Sequence, residues 1–342
     1  MKRMNLAKKL TAMAMTGVMV MSMGMTAFAD GPLVVAGDKI TLTKEITRDE
    51  KVLYPNTTFT FAVAPVGIEN VAIAGETDPV VYGGVSRGAY FAEGADAIEV
   101  TPESTNLTTE ITLNSSVFTK PGVFRYMVTE TAGDYDGMNY DTNYYYLDLY
   151  VTNGEEGYDF DAVVAYQVTA EGAVSSAKSD LTFTNVYNTK KLTVTKIITG
   201  NQADMNEQFS FNITVNGAAG EKYDTSVEDI VLTSGEPKTV ELGNNESIII
   251  YGLSANDTFT VVETDANTDG YTTTYTLDNA AVGADKLVDV PEGTADKVVE
   301  VTNDKNVSTP TGIAMTFAPY AVMVAFAGVF AVMFLRKKRE DF

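Results

Sequence analysis

Short runs of alternating apolar and polar residues fill most of the chain between its two ends. They are rich in Thr, Val, Tyr, Phe and Ile, and clusters of Gly, Asn, Asp and Pro separate them, which is typical of β-strands. Many short strands with frequent turns predict an all-β protein, and the length suits two immunoglobulin-like β-sandwich domains in tandem. The clearest predicted strands are 39–47, 57–64, 123–130, 144–152, 181–187, 191–199, 208–215, 247–251, 258–263 and 297–302.

The first residues have the pattern of an export signal. Four basic residues among the first nine precede an apolar run that begins at Leu10, and Ala27-Phe28-Ala29 has the small-x-small spacing that signal peptidase cuts. We therefore predict a signal peptide over 1–29, with cleavage between Ala29 and Asp30. A retained membrane anchor is the alternative interpretation.

The last segment, 306–342, combines three features. Residues 313–335 are apolar and long enough to span a bilayer as a helix, and the basic residues of 336–339 follow them. The tetrapeptide Thr309, Pro310, Thr311, Gly312 lies immediately before the apolar stretch. Together these features resemble the cell-wall sorting signal that sortases read, and the tetrapeptide resembles the shortened Val-Pro-Thr-Gly motif of some streptococcal-type pilins. The resemblance implies cleavage between Thr311 and Gly312, and anchoring of the secreted chain to peptidoglycan.

Composition narrows the possible functions of the exported part. Removing the four basic residues of the leader, and the four basic and two acidic residues of the tail, changes the formal charge from −22 to −28, which argues against a nucleic-acid partner. The chain has no Cys and no His, so it has no disulfides, no Ser-His-Asp or Cys-His machinery and none of the commonest zinc ligands. We expect no metal, no cofactor and no enzyme turnover; an Asp/Glu glycosidase is the least favoured alternative.

A weak internal repeat divides the middle of the chain near residues 188–189. Each half carries a Lys, then a Glu, then an Asn, in the same order and each on a predicted strand. We therefore predict one domain over 30–188 and a second over 189–305. The two sets are Lys44, Glu130 and Asn185 in the first half, and Lys196, Glu263 and Asn303 in the second.

These three residue types can form a covalent crosslink if a β-sandwich buries them together. Burial favours the neutral amine of a Lys, which is a nucleophile, and the Asn side-chain carbonyl is an electrophile. A buried Glu stays protonated, so it can polarise that carbonyl and move protons as ammonia leaves. We predict single-turnover isopeptide bonds from Lys44 to Asn185 and from Lys196 to Asn303, with Glu130 and Glu263 as catalytic acids. Taken singly, each residue also fits an ordinary surface or turn position.

Nearly the whole exported chain resembles the major pilins of the streptococcal type. The segment 181–188, Leu-Thr-Phe-Thr-Asn-Val-Tyr-Asn, resembles the last strand of that family's first domain, and 192–200 and 259–263 resemble collagen-adhesin B-type pilin modules. The resemblance implies a structural backbone subunit of a sortase-assembled, cell-surface pilus (fimbrium). It also implies an acceptor lysine shortly before the Asn of the first domain's last strand, which is Lys178; Lys120 and Lys190 are the alternatives.

The partners implied are sortase, other copies of the chain in a covalent head-to-tail polymer, peptidoglycan, and possible minor pilins and host surface ligands. The precursor is expected to be held in the membrane by its C-terminal helix before transfer to the wall. A monomeric, sortase-anchored adhesin is the second interpretation.

Overall fold

The computed structural model describes residues 33, 35–36, 38–67, 69–72, 80–282, 287–289, 295–307 and 322–327. The predicted signal peptide with its cleavage site, the sorting tetrapeptide and the basic tail all lie outside these residues. Of the predicted membrane span, only 322–327 are described, and they are helical. No helix within the described ranges has the length and apolar character that crossing a membrane requires.

Residues 39–187 form a first β-sandwich. The strands are β1 (Lys39–Thr47), β2 (Thr57–Pro65), β3 (Glu69–Ala72), β4 (Val80–Gly83), β5 (Ala89–Phe91), β6 (Ala97–Val100), β7 (Thr108–Leu113), β8 (Gly122–Thr131), β9 (Met138–Asn139), β10 (Tyr144–Gly154), β11 (Gly157–Val168) and β12 (Thr182–Tyr187). One sheet has the strand order β5-β7-β1-β12-β9, and the facing sheet has the order β11-β10-β8-β2-β6, with β4 paired to β8 and β3 paired to β4. A 3-10 turn, Ser115–Val117, follows β7.

Residues 190–304 form a second β-sandwich with related topology. The strands are β13 (Lys190–Thr199), β14 (Phe209–Asn216), β15 (Lys222–Tyr223), β16 (Leu232–Thr233), β17 (Lys238–Leu242), β18 (Ser247–Leu253), β19 (Thr258–Glu263), β20 (Thr272–Leu277), β21 (Ala280–Val282), β22 (Leu287–Asp289) and β23 (Lys297–Asp304). The sheets have the orders β18-β13-β23-β20-β21 and β17-β14-β19-β22, and β15 pairs with β16 beside them.

In both sandwiches the first and last strands are parallel neighbours. Strand β1 pairs with β12, and β13 pairs with β23 along eight residues. Each sandwich has its own apolar core, to which both of its sheets contribute. The predicted all-β architecture of packed sheets is confirmed.

Strict alternation along the first strands buries a lysine on β1 and two lysines, Lys190 and Lys196, on β13. On β1 the buried side chains are Ile40, Leu42, Lys44 and Ile46. Strand β13 likewise buries every second residue, among them Lys196. Because the side chains of a strand point alternately to opposite faces, a lysine two residues from a buried apolar side chain points into the core as well.

The connection 188–189 between the sandwiches is short, and hydrogen bonds between polar groups join the two sides. Glu221 of the second sandwich accepts hydrogen bonds from two hydroxyls of the first, Tyr187 at 2.6 Å and Tyr135 at 3.1 Å. Asp136 of the first accepts from the main-chain and side-chain nitrogens of Asn256 at 2.8 and 3.1 Å. These contacts hold the two sandwiches in a defined arrangement.

Next to this junction, two buried carboxylates share one hydroxyl. The Tyr223 hydroxyl lies 2.9 Å from Glu221 Oε2 and 3.1 Å from Asp257 Oδ2. A hydroxyl has a single proton, so it satisfies only one of them at a time. Burial, reinforced by the charge of Glu221, raises the pKa of Asp257 to about 6. A proton on Asp257 therefore stabilises the junction.

We predict that Asp257→Asn flattens the dependence of stability on pH. Since the pKa of Asp257 is above its ordinary value of 3.8 in the folded chain, its contribution is fully present below about pH 4 and is lost as the pH rises through about 6. The loss is on the order of 2 kcal/mol in the free energy of unfolding. Denaturant unfolding from pH 4 to 7 measures it. The exposed Asp265→Asn is the control, and parallel profiles for wild type and Asp257→Asn would contradict the assignment.

Candidate functional site

The first Lys-Glu-Asn set converges inside the first sandwich. Lys44 on β1 lies opposite Phe183 of the parallel strand β12, so Asn185 follows two residues further along the same inward face. Glu130 lies on β8 of the facing sheet and reaches across the core. The three side chains therefore meet between the sheets, in the positions that the alternation of each strand dictates.

A single carboxylate bridges the two nitrogens of this set. Lys44 Nζ donates to Glu130 Oε2 at 2.9 Å, and Asn185 Nδ2 donates to Glu130 Oε1 at 2.8 Å. Lys44 Nζ also donates to the Phe183 carbonyl at 3.2 Å. The side chains of Lys44 and Glu130 are both 0% exposed, so the bulk solvent does not compete for these contacts.

Burial shifts both ionisable groups toward their neutral forms. It lowers the pKa of Lys44, a shift that the charge of Glu130 opposes, and it raises the pKa of Glu130, which the charge of Lys44 opposes. Desolvation penalises a charged amine and a charged carboxylate alike. Burial therefore favours a neutral Lys44 amine and a protonated Glu130 carboxyl, the protonation states that nucleophilic attack requires.

The second set has the same construction. Lys196 on β13 lies opposite Val301 of β23, and Asn303 follows two residues further on that strand. Lys196 Nζ donates to Glu263 Oε2 at 2.8 Å, and Asn303 Nδ2 donates to Glu263 Oε1 at 2.6 Å. Burial lowers the pKa of Lys196. Strand β19 of the facing sheet supplies Glu263.

The carboxylates face the asparagine nitrogens and not the carbonyl oxygens that the sequence predicts they polarise. In this orientation each Glu contacts the nucleophile with one oxygen and the leaving nitrogen with the other. It is therefore placed to take a proton from the amine and to give one to the departing ammonia.

A phenylalanine ring that was not predicted from the sequence lies beside each lysine. Lys44 Nζ lies 5.0 Å from the Phe59 ring centre, and Lys196 Nζ lies 4.3 Å from that of Phe209. Two residues further on, Phe61 and Phe211 pair directly with the strand positions of the two glutamates. The signal was present, because a Phe-x-Phe pattern recurs at 59–61 and 209–211 in the two halves.

The three candidate acceptor lysines differ in accessibility. Lys178 is half-buried in an irregular segment between β11 and β12, and it forms no hydrogen bond or ion pair with any described residue. Lys120 is exposed, with Nζ 3.4 Å from the centre of the Tyr82 ring. Lys190 is only 1% exposed and donates to the Ala255 carbonyl at 3.1 Å, so a bulky enzyme does not reach it.

Across the ranges that the structure describes, no three acidic side chains converge in the way that metal ligands do.

Two family profiles match this chain. The Spy0128-like isopeptide containing domain matches residues 40–188, and a domain of unknown function matches residues 190–305. A protein named "Pilin" from Streptococcus pyogenes serotype M1 is 29% identical, and the alignment covers 96% of this chain and 99% of the relative. The "Pilus tip adhesin Cpa" of Streptococcus pyogenes is 31% identical over 129 residues, which are 36% of this chain and 18% of that protein.

Solved structures of Streptococcus pyogenes proteins resemble this fold. The major pilin protein T3.2 is 28% identical with a TM-score of 0.56, and the match covers 78% of this chain and 98% of that one. A second major pilin is 24% identical with a TM-score of 0.56, covering 80% of this chain and all of that one, which supports the fold alone.

We predict that Glu130→Ala leaves Lys44 and Asn185 unlinked while Lys196 and Asn303 still join, because only the first site loses its proton carrier. Glu263→Ala should give the reverse pattern. Mass spectrometry of protease digests detects the branched peptide of each bond. Without the first bond, which closes a loop of 141 positions, the free energy of unfolding should fall by about 5 kcal/mol.

The control for this pair is Glu110→Ala, which removes an exposed carboxylate whose partner is Lys39 and should leave both bonds intact. A branched peptide containing Lys44 and Asn185 in the Glu130→Ala protein would show that the role given to Glu130 is wrong.

Proposed function

We propose that this protein is the structural backbone subunit of a covalently polymerised cell-surface pilus, because residues 40–188 match the Spy0128-like isopeptide containing domain and the chain is similar along its length to streptococcal pilins. The resemblance to streptococcal-type major pilins that the sequence indicated is confirmed by these matches. Within the subunit we propose two domains, 30–188 and 189–305.

The observation that carries this proposal is the pair of buried triplets between parallel terminal strands. Each triplet holds an amine and an amide on opposite oxygens of one carboxylate inside an apolar core. Such an arrangement is costly to bury unless its members satisfy or react with one another. Isopeptide bonds from Lys44 to Asn185 and from Lys196 to Asn303 remove the buried amine and join the first and last strands of each sandwich permanently.

Strand order explains why a fibre benefits from these links. Tensile force applied between Lys178 and the C-terminus acts on the first sandwich just before β12. It is transmitted through 188–189 to β13 and reaches the C-terminal side of the second sandwich through β23. The bond from Lys196 to Asn303 joins β13 to β23 and lets tension bypass the rest of the second sandwich. The bond from Lys44 to Asn185 keeps β12 attached to β1. A chain without cysteine has no disulfide to do either.

Polymerisation is proposed to join Thr311 of one subunit to Lys178 of the next. Sortase cleaves after Thr311, and the Lys178 amine attacks the enzyme-held acyl group. Lys178 precedes β12, which runs toward the junction, whereas β23, the last strand before the sorting segment, runs away from it, so Lys178 and the end of β23 lie at opposite ends of the two sandwiches. A contact between different ends does not close on itself and generates a fibre.

Location and partners follow from the same assembly. The secreted chain is held in the membrane by its C-terminal segment until sortase acts, and the finished polymer is attached to peptidoglycan. Minor pilins at the tip or base are further partners, and the shared segment with a pilus tip adhesin is consistent with a common module in both.

A monomeric wall-anchored adhesin is the alternative function. The similarity to the tip adhesin covers only 18% of that protein, so it reflects one module and does not by itself indicate adhesion. The described residues between 39 and 304 lie almost entirely in the two sandwiches.

We predict that Lys178→Ala abolishes the ladder of covalent multimers that the wild-type protein forms with its cognate sortase. The substitution removes the acceptor amine from an irregular segment, so both internal isopeptide bonds should still form. Denaturing gels of boiled cell-wall extracts measure the ladder, and digests measure the bonds.

Lys120→Ala is the matched control, since it removes another lysine of the first sandwich that is exposed. It should leave the ladder unchanged. A ladder that persists in Lys178→Ala and disappears in Lys120→Ala would move the acceptor to Lys120. Absence of any ladder from the wild type would favour the monomeric adhesin.

A further inference from the structure

The two asparagine carbonyls have different surroundings. Asn185 Oδ1 accepts a hydrogen bond from the main-chain nitrogen of Asp141 at 2.7 Å. Asn303 Oδ1 is buried and accepts no hydrogen bond from any donor in the described part of the chain. The two sites share their Lys-Glu-Asn geometry, and this contact distinguishes the first from the second.

The Asp141 amide is held in place by its own side chain. Oδ1 of Asp141 accepts from the main-chain nitrogen of Asn143 at 2.9 Å, and Oδ2 accepts from that of Thr184 at 3.1 Å. Thr184 is the residue before Asn185 on β12. The carboxylate thus ties the loop between β9 and β10 to the strand that carries the electrophile, and this fixes the amide against Asn185 Oδ1.

This contact also determines which way the Asn185 amide faces. With its oxygen on the Asp141 N–H, its nitrogen must point at Glu130. Turning the amide over would bring two donors together at Asp141. No equivalent donor among the described residues imposes an orientation on Asn303.

We propose that the main-chain N–H of Asp141 is a catalytic oxyanion donor that accelerates closure of the bond from Lys44 to Asn185, and that the second site, without such a donor, closes more slowly. The inference rests on the proposed isopeptide chemistry and goes beyond it by assigning a third group to the first site and an order to the two bonds.

The reaction balances with the groups present. The neutral Lys44 amine attacks Asn185 Cγ; a new N–C bond forms, and the electron pair of the carbonyl moves onto Oδ1. Glu130, protonated on Oε1, receives a proton from Nζ at Oε2 and gives its own to Nδ2. The Cγ–Nδ2 bond then breaks, the carbonyl re-forms and ammonia leaves.

Negative charge appears on Oδ1 only while the intermediate exists, and Asp141 is the donor that touches this atom. A preformed donor at 2.7 Å stabilises such charge more than it stabilises the starting amide. Loss of one donor of this kind slows acyl transfer by roughly 100-fold or more.

The test removes this donor without changing the side chain. Cell-free translation with the α-hydroxy analogue of aspartate at position 141 replaces the N–H with an ester oxygen and keeps the carboxylate. Samples quenched in acid over time are digested, and the two branched peptides are quantified by mass spectrometry. The second bond in the same molecule is the internal control, and the same replacement at the exposed Asp134 controls for the ester itself.

In the wild type, the first bond should close before the second. The ester at 141 should slow the first bond roughly 100-fold and leave the second unchanged, whereas the ester at 134 should change neither. Resistance to limited proteolysis identifies any loss of folding. Equal rates for the first bond with and without the ester, in chains that resist protease, would overturn the role of Asp141. Failure of both bonds to form in the wild type would instead overturn the isopeptide chemistry on which it rests.

Discussion

The structure depends on the burial of a lysine inside the core of each sandwich. An ammonium group surrounded by apolar side chains is unstable unless it is paired, and Lys44 and Lys196 each have a glutamate from the facing sheet and an asparagine from the neighbouring strand. The three residues form hydrogen bonds with one another because the apolar core offers few other polar partners. That same enclosure lowers the pKa of both lysines and so prepares the amine for attack.

Parallel pairing of the terminal strands converts this local chemistry into a property of the whole subunit. In both sandwiches the Asn lies two residues beyond the strand position opposite the Lys, so the same register serves both sites. A bond at that register ties together the two strands through which the chain enters and leaves. Proteins of this size without cysteine depend on their cores alone unless another covalent link is available. The buried junction around Glu221 then couples the two sandwiches.

The site residues were predictable because each occurs twice on an alternating strand, and period-two alternation determines which face is buried. Strand β11 was not predicted, since it contains Asp159 and Asp161 and aspartate is uncommon in strands. Both side chains are exposed, and pairing with β10 determines the extended conformation of this segment. The Asp141 contact had no sequence signal, because it has no counterpart in the second half and depends on the fold of a loop 44 residues away from Asn185. Glu221 likewise had no sequence signal, since two of its tyrosine partners, Tyr135 and Tyr187, lie in the other sandwich.

The most direct test of the account is the intact mass of the mature, folded wild-type protein, measured under denaturing conditions after purification without any sortase. Closure of both sites gives a mass lower than that of the sequence by two molecules of ammonia, one for each bond. A protein that is folded and protease-resistant but has the full mass of its sequence would contradict the claim that the buried triplets react.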